Sequence, residues 1–300
     1  MIRPMLILIL SLAAAVPALA ETRVAATTTS MAMLARTVGG DAVSVTTLAP
    51  PDRDTHYLQA KPSMIRDLRS ADLVVAVGAE LEVGWLPAAI RNAANSSIRP
   101  GQPGYFEAAA QVELLDAGGP ADRSGGDVHP GGDPHVNLDP VRMAAVAEAL
   151  AEHLAELSPD HAEAFRERAD AFAEEVDERL PAWKERAGDS PGVVGFHKDI
   201  RYLMERLEVP IRGYLEPKPG VPPSGSHLRE LIAELEGSGP GAILRHPFHP
   251  RGPVEKVAEA TGWRAATLPL DPPLGAEDAD YFALIDDYVA AIAGPRREEG

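Results

Sequence analysis

The sequence predicts an α/β protein of two pseudo-symmetric lobes, each built on a mainly parallel sheet, with one long rigid helix joining them. Strand-like apolar runs alternate with helix-like segments in both halves, which is the pattern of parallel strands with crossover helices. One long helical stripe of apolar residues separates the halves. We therefore divide the chain into a signal peptide (1–20), an N-terminal lobe (21–157), a linking helix (158–187) and a C-terminal lobe (188–300).

The composition restricts what the chain can bind. Its 300 residues include 28 Lys and Arg against 45 Asp and Glu, 45% hydrophobic residues and no cysteine. Surplus acid repels nucleic acid and anionic membranes and attracts cations. Without cysteine there is no thiol catalysis, disulfide or Cys-type zinc site, so any metal must be held by histidines and carboxylates.

The first twenty residues have the pattern of a secretory signal. Arg3 supplies a positive start, residues 5–16 are apolar except for one serine, and residues 18–20 end in a small-x-small cleavage pattern. We expect a soluble periplasmic protein that begins at Glu21. No cysteine follows the cleavage site, so we expect no lipid anchor.

In the first half, we predict a strand over 43–48, a helix over 63–69 with Ser63 as N-cap, and a buried strand over 72–78. Residues 118–134 are rich in Gly, Pro and Asp and predict a loop with a mobile tip. Asp139 as N-cap and Pro140 at the first helical position predict a helix that reaches Leu157.

The linking helix is predicted to begin at Ser158. Its apolar residues recur every three or four positions, as on one face of a helix with a 3.6-residue period. This length, about 40 Å at 1.5 Å per residue, suits a rigid strut between lobes. The stripe consists of Ala162, Phe165, Ala169, Phe172, Val176, Leu180 and Trp183. Beyond it we predict strands over 192–196, 241–244 and 265–270, and helices over 200–207, 228–235, 254–261 and 278–292.

Four side chains follow predicted strands, where ligands bind in open α/β sheets. They are His56, His135, His197 and Asp271. Three imidazoles and one carboxylate can complete a tetrahedron around Zn²⁺, held between the lobes. The alternative is that each histidine only caps a helix or donates to a carbonyl group.

Several segments, taken together, resemble one family. They are Asp54-Thr55-His56-Tyr57, Pro62-Ser63, residues 71–74, Gly78, Glu82 with Trp85-Leu86, residues 133–140 around His135, Phe196-His197 before Tyr202-Leu203, and residues 258–262. Spread over about 22–292, they resemble the cluster A-I periplasmic solute-binding proteins of zinc and manganese ABC transporters.

The resemblance implies a metal buried between the lobes, with His56, His135 and His197 as ligands. It implies capture of Zn²⁺ for an ABC permease in the inner membrane, with Mn²⁺ as the alternative cargo. Zinc-type members have a histidine at the third position and manganese-type members commonly a glutamate, and a third imidazole is the softer donor that Zn²⁺ prefers. Thr55 departs from the Asp-Pro-His pattern usual at the first ligand.

The other donors are less well defined by the sequence. For the fourth ligand we expect Asp271 or water first, then His246 and then His249. His129 lies in the predicted loop as an auxiliary metal contact or, as we rather expect, a solvated histidine. Glu216 is a further cleft residue, with a structural turn as the favoured interpretation. Asp133, Asp139, Glu80 and Glu82 are candidates for orienting the imidazoles.

A zinc hydrolase is the rival interpretation, because three protein ligands and a water also form catalytic zinc sites. No H-E-x-x-H motif, nucleophile elbow or Gly-rich phosphate loop is present in the sequence, so we expect no enzyme. A metal-dependent adhesin is a third, weaker interpretation. We expect a monomer that binds Zn²⁺ and the permease but no nucleic acid, with a periplasmic metallochaperone as a further candidate partner. Binding should weaken below about pH 6, as protons compete for ordinary imidazoles.

Overall fold

The computed structural model describes residues 21–118 and 129–294. It confirms an α/β fold with two four-stranded parallel sheets. The predicted signal peptide and residues 119–128 of the predicted loop lie outside the described residues. No helix within the described residues is long and apolar enough to cross a membrane.

The first sheet has the strand order β2-β1-β3-β4, all parallel. Its lobe comprises β1 (Thr22–Ala26), α1 (Thr29–Gly39), β2 (Val43–Thr47), α2 (Pro62–Ser70), β3 (Leu73–Ala76), α3 (Leu86–Ala93) and β4 (Tyr105–Glu107). The central strand β3 is buried along its whole length. A parallel sheet covered on both faces explains this continuous apolar run.

The second sheet has the order β6-β5-β7-β8, again all parallel. Its lobe comprises β5 (Val193–Gly195), α6 (Arg201–Arg206), β6 (Ile211–Tyr214), α7 (Gly225–Leu235), β7 (Ala242–Arg245), α8 (Arg251–Thr261), β8 (Arg264–Thr267) and α9 (Asp278–Ala293), and it follows the two connecting helices described below. In both sheets the first strand lies between the second and the third. The two lobes therefore share one topology, as the sequence predicted.

Two helices connect the sheets: α4 (Pro140–Leu157) and α5 (Ala162–Ala187). The side chain of Asp139 accepts the amide of Val141 at 3.1 Å, which confirms the predicted N-cap. At 26 residues, α5 is about 39 Å long. Its predicted stripe faces inward, although a short 3₁₀ turn at Pro159–His161 precedes the helix.

The core is continuous across both lobes. Helix α5 packs against α1 and α4 of the first half and α9 of the second. Leu34, Phe172 and Tyr281 come from these three regions and belong to one buried cluster, each at most 1% exposed. The long helix is therefore part of a shared core, and relative movement of the lobes would disrupt that packing.

Some details differ from the sequence-based expectation. Helix α2 begins at Pro62, so Ser63 is inside the first turn and the N-cap prediction was wrong. Proline fits there because its fixed φ is helical and its missing N–H would have no partner. Helix α1 has no clear signal in the sequence and was not predicted. Its residues 29–35 are all buried, so the alternation of polar and apolar faces that marks a surface helix is absent.

Candidate metal site

Three histidines from separate loops come together between the two sheets. His56 lies in a short turn after β2, His135 precedes α4, and His197 follows β5 directly. One ring nitrogen of each lies within 4.8 Å of the others. Their ring centroids are 5.2 to 5.8 Å apart. A single ion between them can therefore contact all three.

Each imidazole is oriented by a carboxylate. The Nδ1 atoms of His56 and His135 lie 2.8 and 2.7 Å from Asp54 and Asp133. The Nδ1 atom of His197 lies 2.7 Å from Glu216. A carboxylate can only accept here, so each Nδ1 carries the proton and each Nε2 is left as the donor to a metal.

The first two ligand loops use the same local device. Asp54 also accepts the backbone amide of His56 at 2.9 Å, and Asp133 that of His135 at 3.1 Å. An aspartate two residues before its histidine thus fixes both the backbone and the ring. Thr55 lies between the two residues where the family usually has proline, and the arrangement forms with threonine there. The repeated Asp-x-His spacing is the sequence signal by which Asp54 could have been identified alongside Asp133.

Glu216 has two roles. Its carboxylate holds His197 and also accepts the amide of Gly220 at 2.9 Å. The predicted turn is thus present, but it also supplies the partner of the third imidazole. The other residues considered for this role have other partners. Asp139 pairs with Arg142 and Arg206, and Glu82 accepts from Thr27, Val77 and Gly78.

The donor set fits a cation. The Nε2 atom of His135 is buried and has no hydrogen-bond partner among the described residues. A buried, unpaired lone pair is costly, and a metal ion would satisfy it.

The carboxylates behind the imidazoles are ionised. Burial alone would raise the pKa values of Asp54 and Asp133, but their interactions with His56 and His135 outweigh burial and lower both pKa values. The outer carboxylates therefore stay ionised and balance the charge of a cation.

The pKa of the His197 imidazole is strongly perturbed. Burial alone would lower it, but the hydrogen bond to Glu216 and the negative charges of Asp199, Glu216 and Asp54 outweigh burial and raise the pKa to about 9. Without metal, the ring is therefore protonated near neutral pH. Binding of an ion to Nε2 must displace that proton.

Asp271 lies near this cluster but is not one of its convergent donors. Its Oδ1 atom accepts from the hydroxyl of Ser30 and, at 3.3 Å, from the amide of Asn137. Burial raises the pKa of its carboxyl group. Asp271 as a metal ligand stays a prediction.

The two histidines after β7 are held by other groups. His246 donates from Nδ1 to the carbonyl of Leu268 at 2.9 Å and from Nε2 to Asp199 at 2.9 Å. A metal contact by His246 would require one of these bonds to break. His249 accepts the amide of His246 at 3.2 Å and stacks on Phe196 with centroids 4.2 Å apart. Burial lowers its pKa to about 3.

His129 does not lie where we expected. It is partly buried, and its Nε2 atom lies 3.2 Å from Nε2 of His56. Its Nδ1 atom lies 3.1 Å from the carbonyl oxygen of Ala79. Burial and the neighbouring His56 and His135 lower its pKa to about 4. The expectation of a solvated loop histidine was wrong, because the chain after the loop returns this ring to the site.

Two lobes of one topology, with three carboxylate-held imidazoles converging between them, define a metal-binding protein of the two-lobed type. Comparison with known families agrees. The chain belongs to the family described as the periplasmic zinc-uptake complex component A, ZnuA, whose profile matches residues 24–294. This is a family of transport substrate-binding proteins and not of enzymes, so the hydrolase interpretation is set aside.

Individual relatives are distant. The high-affinity zinc uptake system protein ZnuA of Brucella abortus (strain 2308) is 27% identical over 170 residues, which are 55% of this chain and 49% of that protein. The chain thus matches about half the length of this relative. The manganese ABC transporter substrate-binding lipoprotein PsaA of Streptococcus pneumoniae is 22% identical over 195 residues, 63% of this chain and 60% of that protein.

Solved structures show the same fold. A crystal structure of ZnuA has a TM-score of 0.76 at 20% identity and covers 91% of this chain and 99% of its own. The solute-binding protein FpvC from Pseudomonas aeruginosa, in complex with Mn²⁺, has a TM-score of 0.75 at 21% identity, with 91% and 97% covered. At these identities the likeness concerns the fold alone.

Proposed function

We propose that this protein captures Zn²⁺ in the periplasm and delivers it to an ABC-type permease in the inner membrane. One observation carries the proposal: three imidazoles converge with Nδ1 held by a carboxylate in each, so that all three Nε2 atoms can bind one ion once the proton on His197 is displaced. We propose His56, His135 and His197 as its ligands. Family membership supports a transport role, with the permease as the partner.

Zinc is the cargo that the donor set favours. The convergent group consists of imidazoles, which suit borderline Zn²⁺, whereas Mn²⁺ prefers carboxylate, carbonyl and water oxygens. Manganese is the second candidate. One relative, which matches over a length similar to that of the zinc relative, is named for manganese, and one structure of this fold is in complex with Mn²⁺.

A competition titration tests the cargo. Mature protein stripped with a chelator is titrated with Zn²⁺ and separately with Mn²⁺, and bound metal is counted. We expect one tight Zn²⁺ per chain and much weaker Mn²⁺ binding. Equal or tighter binding of Mn²⁺ would assign the protein to manganese, and the lack of a tight site for either ion would refute the proposal.

Substitution of a ligand tests the site. His135→Ala should lower the affinity for Zn²⁺ by tens-fold or more, because the orphaned buried donor is removed. His161→Ala is the matched control, since this histidine lies in the 3₁₀ turn before α5 and faces none of the converging nitrogens. A loss below about threefold in His135→Ala would exclude His135 as a ligand.

Delivery is tested separately from binding. In vesicles that contain the purified permease with its ATPase, the zinc-loaded protein should stimulate ATP hydrolysis and zinc uptake. The His135→Ala variant should fail at the same zinc concentration. Zinc uptake that does not depend on this protein would leave it a binding protein without the transport role.

A further inference from the structure

We propose that His129 is the fourth donor to the captured ion, so that the site binds the metal with four imidazoles. This inference rests on the proposed function and concerns the same site. It differs from the sequence-based expectation, which placed Asp271 first. The observations that carry it are the hydrogen-bond partners of His129 and its distance from His56.

The partners of His129 and His56 determine where their lone pairs point. The carbonyl oxygen of Ala79 can only accept, so Nδ1 of His129 is the nitrogen that carries its proton. Asp54 assigns the proton of His56 to Nδ1 in the same way. The two Nε2 atoms, 3.2 Å apart, therefore face each other with lone pairs and no hydrogen between them. Such a pair repels unless a cation lies between the two nitrogens, either a metal ion that binds both or a proton that they share.

The spacing also fits a shared ion. With Zn–N bonds of about 2.0–2.1 Å and tetrahedral angles, two nitrogens on one zinc ion are about 3.3 Å apart. The observed distance of 3.2 Å agrees with this value. The ring of His129 lies 6.2 Å from that of His135, compared with 5.2 Å between the rings of His56 and His135. His129 is not among the three residues whose ring nitrogens all lie within 4.8 Å of one another, so its ring must move toward His135 to complete the coordination.

The turn at Ala79 and Glu80 fixes the carbonyl group that contacts Nδ1 of His129. Ala79 and Glu80 both adopt positive φ, at 45° and 67°, a conformation that non-glycine residues rarely adopt and that concentrates at ligand sites. The buried carboxylate of Glu82 fixes the turn through the amides of Val77 and Gly78, at 2.8 and 3.1 Å. The turn therefore holds the Ala79 carbonyl in a defined place toward His129, just as carboxylates hold the other three rings.

The charges around the site agree with a fourth neutral donor. Asp54, Asp133 and Glu216 already place three carboxylates directly behind the imidazoles. A further carboxylate in contact with the ion is not needed for charge balance. Asp271 has its Oδ1 atom engaged by Ser30 and Asn137, whereas Nε2 of His129 faces Nε2 of His56 within the part of the chain that the structure describes.

Two readouts test the proposal: Zn²⁺ affinity by chelator competition, and the visible d–d absorption of the Co²⁺-loaded protein, which changes when a direct donor is lost. We compare the full mature chain with His129→Gln, Asp271→Asn and the control His161→Gln. We expect His129→Gln to lower Zn²⁺ affinity by about 10- to 100-fold and to alter the Co²⁺ spectrum. Asp271→Asn and His161→Gln should leave the spectrum unchanged. Equal unfolding temperatures of the metal-free variants would show that the fold is intact.

Three results would overturn the proposal. If His129→Gln only slows metal uptake, with unchanged affinity and spectrum, the residue collects metal without binding it in the site. If Asp271→Asn alone changes the spectrum, the carboxylate is the fourth donor. If neither variant changes it, water completes the site. Absence of tight zinc binding in the unsubstituted protein would instead refute the proposed function, so the two failures are distinguishable.

Discussion

Zinc affinity should still change with pH at values well above those at which an ordinary histidine titrates. The reason is that Glu216 holds the ring of His197. The metal-free protein has a His197 pKa of about 9, and zinc requires the neutral ring. The protonated form dominates below that value, so affinity falls as pH falls through it. The onset lies higher than pH 6, the value expected from the sequence with an imidazole pKa near 6.5.

The magnitude follows from the fraction of neutral ring. At pH 7, which lies about two units below a pKa of about 9, roughly one His197 ring in a hundred is neutral. The apparent Zn²⁺ affinity at pH 7 should therefore be about 100-fold below its limit at high pH, with a slope of about tenfold per pH unit. Binding at pH 7.5 should release at least one proton per ion.

Glu216→Gln separates this effect from simple loss of support. The amide can still accept from Nδ1 but has no charge, so the pKa of His197 should fall. We expect affinity at pH 9 to drop by about 10- to 100-fold, because the ring is held less well. At pH 7 the deficit should be smaller, because less proton competition remains. Glu208→Gln, at a side chain 77% exposed, is the control for the charge change.

The assays are chelator competition from pH 6 to 9.5 and titration calorimetry in two buffers of different ionisation enthalpy, which counts released protons. Parallel affinity curves for the unsubstituted protein and Glu216→Gln would refute the reasoning. So would a proton count near zero at pH 7.5, since it would mean that His197 is already neutral there.

Three further predictions concern stability, measured by urea denaturation of the metal-free protein. His246→Phe should cost about 3–5 kcal/mol, because it leaves Asp199 buried without its 2.9 Å partner. The pair should contribute most to the free energy of unfolding between about pH 4 and 6.5. Because the pKa of His246 is raised, its contribution is lost as pH rises above this range; because the pKa of Asp199 is lowered, its contribution is lost as pH falls below it. Asp139→Ala should cost about 2 kcal/mol or more, since it removes a helix cap and the partner of two arginines, whereas Asp160→Ala, an exposed aspartate beyond the other end of α4, should change little. Phe172→Ala should cost about 3–5 kcal/mol through the cavity left in the shared core, and a value below about 1 kcal/mol would contradict that packing.

Strong local patterns were enough to predict much of the fold. The stripe of α5 and the Asp139-Pro140 start of α4 are written in consecutive residues, and the structure confirms both. The matching order of elements in the two halves predicted one topology for both sheets. The approach of His56 and His197 could be anticipated because both follow parallel strands, where ligands bind in open α/β sheets. His135 does not directly follow a strand and instead lies just before α4, so the position of its ring depends on how the chain returns to the site.

The groups that sequence reasoning missed depend on distant contacts. Glu216 meets His197 across 19 residues, and His129 meets His56 across 73. No local spacing encodes such pairs, so Glu216 was interpreted as a turn and His129 as solvated. His246 shows the opposite error, since its position after β7 suggested a ligand, but both its nitrogens are committed to Leu268 and Asp199.

Helix α6 determines which of the converging rings can move. It directly follows the His197 loop, and its Tyr202 donates to the carbonyl of Asp133 at 2.6 Å. Its Arg206 binds Asp139 through two hydrogen bonds, at 2.9 and 3.1 Å. The segments that carry His135 and His197 are therefore joined by one buried and two partly buried hydrogen bonds. Since α1, α5 and α9 also share one core, wide opening of the lobes would break many contacts at once. We therefore expect the ion to leave by displacement of the His56 and His129 segments, with the His135–His197 pair held in place.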